Sequence, residues 1–494
     1  MLFNSFPFLI FFPVVTVVFF LLPHRFRWAW LLATSCFFYM FFIPVYIFIL
    51  LITILIDYFA GILIEKTHGQ KKKNYLFLSI VSTCAVLFFF KYFNFFVGNV
   101  NSIANLLHWN YSLKFLEIIL PIGLSFHTFQ SLSYVIEVYK GKCPAERHFG
   151  VYALYVMFYP QLVAGPIERP QHMLPQFHEE KKFDYSLAVD GLRQILLGVF
   201  KKVFIADRLA ILVNMVYNSP TNFHGVTLIS ATVFFAFQIY CDFSGYSDIA
   251  LGSARVMGFK LMNNFNFPYF SKSIGEFWKR WHISLSTWFR DYVYIPLGGN
   301  RVSKGRWVLN ILITFLISGF WHGASWTFVI WGGIHGIFLI FETFFVWFKN
   351  KIIKIFNFKP YKYILDHLSV FLTFCLVCVS WIFFRASSLK DALYIVQNLF
   401  IGLKEQSVYI IDFLFRKISF SELLNYLWPG AVQFDLIIAI VSLVFFILVE
   451  SKIVFWLGLF NKHKVFRWSI YYFAVMLILF FGVFDNSQFI YFQF

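Results

Sequence analysis

Charge is what this sequence most lacks: only 13% of its 494 residues are Asp, Glu, Lys or Arg, against 60% hydrophobic residues. A chain so apolar cannot be a soluble protein of two or three domains, and it reads as an integral membrane protein. Several site signatures are missing too: there is no P-loop, no Rossmann glycine fingerprint, no G-x-S-x-G nucleophile turn and no H-E-x-x-H metal pair, so no bound metal is expected. No hydrophilic stretch is long enough for a nucleotide-sugar domain, which argues against a membrane glycosyltransferase. Cysteine is scarce, and the C-x-x-C of Cys375 and Cys378 lies inside an apolar run without a second ligand pair, as small packing residues would.

What the chain has instead is a succession of apolar runs, rich in Phe (72 residues). We count about ten to thirteen membrane-embedded helices, judged against the roughly 17 to 25 residues needed to cross about 30 Å of hydrocarbon. The first run follows Met1 without a basic leader or a small-residue cleavage site, so a retained helix is expected rather than a signal peptide. A net charge of +17 would suggest nucleic acid in a soluble protein. Here the positive-inside rule accounts for it, and no nucleic-acid partner is expected. Residues 65–74 carry Lys66, Lys71, Lys72 and Lys73, whereas 99–112 carry no Lys or Arg. The first loop is assigned to the cytoplasm, and the second loop and the N-terminus to the outside.

Three parts are expected within one membrane domain. Residues 1–98 hold plain transmembrane spans near 6–22, 28–40, 44–64 and 76–97. Residues 115–348 form a core of re-entrant and interfacial helices, where Pro121, Gly123, Pro160, Gly165 and Pro166 interrupt apolar segments that also hold His127, Gln130 and Gln161. Broken, polar segments are tolerated at membrane depth only when buried in protein or lining a cavity. Within the core, 168–185 reads as a surface loop, and a helix over 186–217 carries Lys201, Lys202 and Arg208, which place part of it at an interface. Residues 368–494 return to ordinary spans near 368–384, 436–449 and 470–484.

The polar residues concentrate between Tyr240 and His335. Asp242, Ser244 and Asp248 could bind a cation, relay protons or order a structural network. Between Arg255 and Arg306, nine basic residues face two acids, Glu276 and Asp291. This arm is assigned to the cytoplasm, and Lys279, Arg280 and Arg290 suit either anionic lipid or a phosphate-bearing donor. Within it, Trp278, Trp281, Leu285, Trp288 and Tyr292 recur at helical spacing, predicting one amphipathic interfacial helix with tryptophan anchors and His282 on the border of its faces. Beyond Arg306, the residues Asn310, Thr314, Ser318 and His322 recur every four positions, a polar stripe that should face protein or a watery path. Either histidine could be a hydrogen-bonded packing residue or carry chemistry. His335, in Trp-Gly-Gly-Ile-His-Gly, is the reserve candidate.

The chain resembles the membrane-bound O-acyltransferase family. The motifs are Pro-Ile-Gly-Leu-Ser-Phe-His-Thr-Phe-Gln (121–130), Pro-Gln-Leu-Val-Ala-Gly-Pro-Ile (160–167), Tyr-Cys-Asp-Phe-Ser-Gly-Tyr-Ser-Asp (240–248), Glu-Phe-Trp-Lys-Arg-Trp-His-Ile-Ser-Leu-Ser-Thr-Trp (276–288), Arg-Asp-Tyr-Val-Tyr-Ile-Pro-Leu-Gly-Gly-Asn (290–300) and Gly-Phe-Trp-His-Gly-Ala-Ser-Trp (319–326). The likeness is greatest to bacterial members that O-acetylate alginate or peptidoglycan, and extends to teichoic acid D-alanyltransferases. One departure is His127, where Tyr is common in this branch.

The resemblance implies an all-α polytopic membrane protein, a helical funnel with re-entrant or broken segments around a central tunnel. It implies that His322 is the principal catalytic residue and His282 the second. Asn310, Thr314, Ser318, Asp242, Ser244, Asp248, Trp321 and His335 would line the tunnel or support it. The expected activity is transfer of an acyl group, acetyl above all, from a cytoplasmic acyl-CoA or acyl-carrier thioester to hydroxyls of a cell-surface polysaccharide. No permanently bound cofactor is expected. The expected partners are membrane lipids, an SGNH-type periplasmic transferase or esterase and a cytoplasmic acyl carrier, and the expected location is the bacterial inner membrane. The alternative is a transporter or flippase of an acyl carrier or polysaccharide precursor, whose sign would be paired broken helices in two related halves. No such repeat is visible in the sequence.

Overall fold

The computed structural model describes residues 1–117, 120–356, 362–451 and 463–484, and the regular structure among them is helical, with no strand. Seven helices among the described residues are long and apolar enough to cross a membrane, and Phe6–Leu21 is a shorter apolar one. The 19-residue helix Lys304–His322 is not among the seven, in keeping with the polar stripe and basic first turn that dilute its apolar residues. The chain divides into two compact units, Met1–Leu197 with Tyr246–Asn263, and Gly198–Gly245 with Asn264–Phe494.

In the first unit, Phe6–Leu21, His24–Met40 and Ile47–Lys66 occupy the three leading spans. The fourth is longer than its hydrophobic run: Gly69–Leu87 continues through the wide turn Phe88–Tyr92 into Phe93–Leu106. Apolar side chains such as Phe6, Leu9, Phe77 and Leu78 are exposed, the pattern of a surface solvated by hydrocarbon. Inside, polar groups are partnered, as burial demands. The Asp57 carboxylate accepts from Ser79 Oγ at 2.6 Å and Thr83 Oγ1 at 3.1 Å.

The stretch 168–185 is not simply a surface loop. Pro170–His178 is a helix with proline in its first turn, where the missing N–H costs nothing. Glu168 is buried; its carboxylate accepts from Met262 N at 2.6 Å and bonds His172 Nδ1 at 2.7 Å. Beyond that helix, residues 179–184 form an irregular link. A partner so distant in sequence gives no local signal.

In the second unit, two cations of the 186–217 stretch, Lys202 and Arg208, are paired. Lys202 Nζ lies 2.7 Å from Asp207 and 2.8 Å from Asp242, all three buried. The wide turn Phe200–Ala206 brings together Lys202 and Asp207, five positions apart. Arg208 pairs with Asp435 and donates to the Phe481 carbonyl at 2.6 Å. The later spans are Lys362–Arg385, Gln433–Ser451 and Lys464–Phe481.

Candidate active site

The site is built on a helical hairpin. Lys304–His322 turns through residues 323–325 into Trp326–Phe356, and the two helices return antiparallel in close contact. A Cβ on Gly319 would stand 2.3 Å from the Phe328 carbonyl, and one on Gly332 would stand 2.2 Å from the Phe315 carbonyl. Glycine at both positions is therefore the condition for this approach.

The polar stripe faces inward. Asn310, Thr314, Ser318 and His322 are buried, whereas Leu309, Ile313, Leu316 and Ile317 on the other side are exposed. Two stripe residues serve structure: Asn310 Nδ2 donates to the Gly299 carbonyl at 3.1 Å, and Thr314 Oγ1 donates to the Asn310 carbonyl at 2.6 Å. His322, the last helical residue, meets rings edge to face: Trp331 at 4.9 Å, Trp321 at 5.0 Å and Phe384 at 5.4 Å between centroids. Trp331 is stacked on Trp381 at 5.8 Å, and its buried indole N–H has no hydrogen-bond partner among the described residues. A buried, water-poor wall of this kind raises the worth of every donor and acceptor in it.

His335 lies one turn after Trp331 on the same helix, fully buried. Its Nδ1 is 3.3 Å from Trp278 Nε1 and its Nε2 is 2.8 Å from Ser380 Oγ. The reserve candidate thus has both ring nitrogens engaged.

The segment carrying His282 differs from the continuous amphipathic helix expected. It breaks into Ile274–Arg280 and Ile283–Phe289, with His282 between them in the left-handed conformation at φ 40°. The break is enforced from outside: Ile283 N donates to the Asn264 carbonyl and Asn266 N to the Arg280 carbonyl, both at 2.9 Å. A non-glycine residue held there carries about 1–3 kcal/mol of strain, which persists only where surrounding contacts over-determine it. The tryptophans are not interface anchors either, since Trp281 and Trp288 are buried in protein. His282 has 0% exposure and meets the Phe243 ring at 4.6 Å. Burial pushes its imidazole down to about 3, so it is neutral at physiological pH.

The remaining expected groups are dispersed in role. Asp242 is held by Lys202, Asp248 accepts from Gln194 Nε2 at 3.0 Å, and Ser244 is buried. No group of three or more His, Cys, Asp or Glu side chains gathers among the described residues. In the basic arm, Arg280 pairs with Glu276 at 2.6 Å and Arg290 with Asp291 at 2.8 Å, while Lys279 is exposed. Sequence reasoning missed Ser380, Trp381 and Phe384, and met Trp331 only as the first residue of Trp-Gly-Gly-Ile-His-Gly. The one available signal was Ser-Trp at 380–381, a polar pair inside an apolar span.

Comparison with known proteins identifies the family. The model of the family described as MBOAT, membrane-bound O-acyltransferase, matches residues 148–389, which include His282, His322 and His335. The probable alginate O-acetylase AlgI of Pseudomonas aeruginosa is 38% identical over 403 residues, covering 81% of this chain and 75% of that one. The peptidoglycan O-acetyltransferase of Helicobacter pylori is 36% identical over 406 residues, 77% of this chain and 74% of its own. A teichoic acid D-alanyltransferase of Bacillus subtilis is 29% identical over 277 residues, 53% of this chain and 68% of its own. The all-helical fold with several membrane-length helices, the motifs and these relatives together place the chain in the membrane-bound O-acyltransferase family, as a multi-pass membrane O-acyltransferase.

Proposed function

We propose that this O-acyltransferase moves an acetyl group from a cytoplasmic thioester, acyl-CoA or an acyl carrier, across the bacterial inner membrane to hydroxyls of a cell-surface polysaccharide. Alginate-like polymers and peptidoglycan are the acceptors suggested by the relatives' names, and an SGNH-type periplasmic protein would complete the delivery. Residues 115–348 would act as the catalytic core, flanked in sequence by 1–98 and 368–494.

The observation that carries this reading is the inward polar stripe ending on buried His322. In the proposed step an imidazole nitrogen of His322 takes the proton of the acceptor hydroxyl as its oxygen attacks the thioester carbonyl. The tetrahedral intermediate then collapses, the C–S bond breaks and the thiolate leaves with the proton held by His322. The Trp331 indole N–H is available to the developing oxyanion. His282, buried and neutral, would orient donor or acceptor rather than supply charge.

The test is reconstitution in liposomes with a labelled acetyl thioester inside and a hydroxyl acceptor outside, for wild type, His322→Ala and His282→Ala. Thioester cleavage and acceptor labelling that depend on His322 support the proposal. Unchanged turnover in His322→Ala overturns the catalytic assignment. Label that crosses with its thioester intact overturns acyl transfer in favour of transport.

A further inference from the structure

His335 competes with His322 for a catalytic role on sequence grounds, and the bonds around it point elsewhere. An indole N–H can only donate, so Trp278 Nε1, 3.3 Å from His335 Nδ1, makes that nitrogen the acceptor. The ring's single proton then sits on Nε2 and is donated to Ser380 Oγ at 2.8 Å. Ser380 in turn donates to the Val377 carbonyl at 2.7 Å. The relay runs one way, Trp278 to His335 to Ser380, and ends on a backbone carbonyl. For His335 to act as a base it would have to release the half-buried Trp278 N–H, and the full penalty for an unsatisfied donor, about 1–3 kcal/mol, is the upper bound on that cost.

The same three residues tie together Ile274–Arg280, Trp326–Phe356 and Lys362–Arg385. Trp331 stands where these elements meet. It lies 5.0 Å from the His335 ring, 5.1 Å from Phe384, 5.8 Å from Trp278 and 5.8 Å from Trp381, and it meets His322 at 4.9 Å and 87°. A near-perpendicular ring pair fixes the plane of both partners.

We infer that His335 is a positioning residue: with Trp278 and Ser380 it locks Trp331, which holds the His322 imidazole in the plane needed for proton transfer. The inference rests on His322 as the base. It predicts that the rate falls without loss of binding, because misplacement by about 1 Å can cost roughly 100-fold.

The experiment measures kcat, KM for the thioester and the pH dependence of kcat in the liposome assay, for His335→Gln, His335→Phe, Ser380→Ala and His322→Ala, with melting curves in detergent. Gln can still accept from Trp278 and donate to Ser380, whereas Phe fills the space without either bond. We expect His335→Phe to lose about 100-fold in kcat with KM little changed. Gln should recover most of that rate and keep the wild-type pH midpoint. Ser380→Ala should shift kcat in the same direction by less, and this carries the test if the Phe variant does not fold.

A Gln variant as inactive as His322→Ala, or one that abolishes the pH-dependent limb, would make His335 a proton carrier and overturn the inference. Full activity in both His335 variants, or a change confined to KM, would also overturn it. Unchanged turnover in His322→Ala alongside the expected His335 pattern would instead remove the base assignment, leaving His335 to orient some other group.

Discussion

Two buried histidines are held in place by opposite means. His322 ends a regular helix whose position is set by glycines that let its hairpin partner touch it, so its placement is a matter of packing. His282 sits in a left-handed break between two short helices, clamped by the backbone of residues 264–266, so its placement is a matter of imposed strain. A packed hairpin needs no strained backbone and tolerates little added volume. A strained turn stores energy and gives it back when the residue changes. The contrast suits a base whose geometry must repeat each turnover and a second group that binds or orients.

The comparison breaks first at His322. His322→Ala should lower acetyl transfer by about 10² to 10⁴-fold with little change in melting temperature, because proton transfer is lost while the hairpin remains. A loss of folded protein in place of activity would show that His322, too, is structural. Next in size, Gly319→Ala should destabilise by about 1–3 kcal/mol in chemical denaturation, since its Cβ would strike a carbonyl at 2.3 Å. A melting curve like wild type would mean that the hairpin yields easily.

The His282 side of the contrast predicts smaller shifts. His282→Gly should be more stable than His282→Ala by about 1 kcal/mol, because both lose the ring but only glycine is at ease at φ 40°. Equal stability would remove strain from the account. In pH, the folded ring stays neutral down to about 3 while the unfolded one protonates near 6.5. Its contribution is therefore full above 6.5 and fades as pH falls towards 3. Melting between pH 6.5 and pH 4 should fall more steeply for wild type than for His282→Gln. Parallel curves would show that the ring takes up its proton in the folded state.

Much of the fold was legible because hydrocarbon imposes simple rules. Spans near 6–22, 44–64, 368–384 and 436–449 follow from apolar length, and the structure meets them within a few residues at most ends. The stripe from Asn310 to His322 was legible because four polar residues at a period of four can share a helix face. The break at His282 was not. No glycine or proline marks it, the tryptophans keep helical spacing on both sides, and the cause is a backbone pairing with residues 264–266. The pairing of Lys202 was hidden for a similar reason: its partner Asp242 lies forty positions later and its partner Asp207 is reached through a wide turn. Long-range partners leave no local trace, and the rings around His322 that come from 381–384 are of that kind.

The Lys202 centre has a consequence for how this chain enters the membrane. Its charges come from two segments, Lys202 and Asp207 from one and Asp242 from the long helix Val226–Val256. An unpaired Asp at the centre of an inserting helix costs about 2.5–3.5 kcal/mol. Released alone, the long helix would carry Asp242 without its lysine, whereas the segment before it already pairs Lys202 with Asp207. Asp242 thus becomes tolerable in an apolar helix only once the preceding segment is beside it, so the partner that neutralises this helix is supplied by an earlier stretch of the chain.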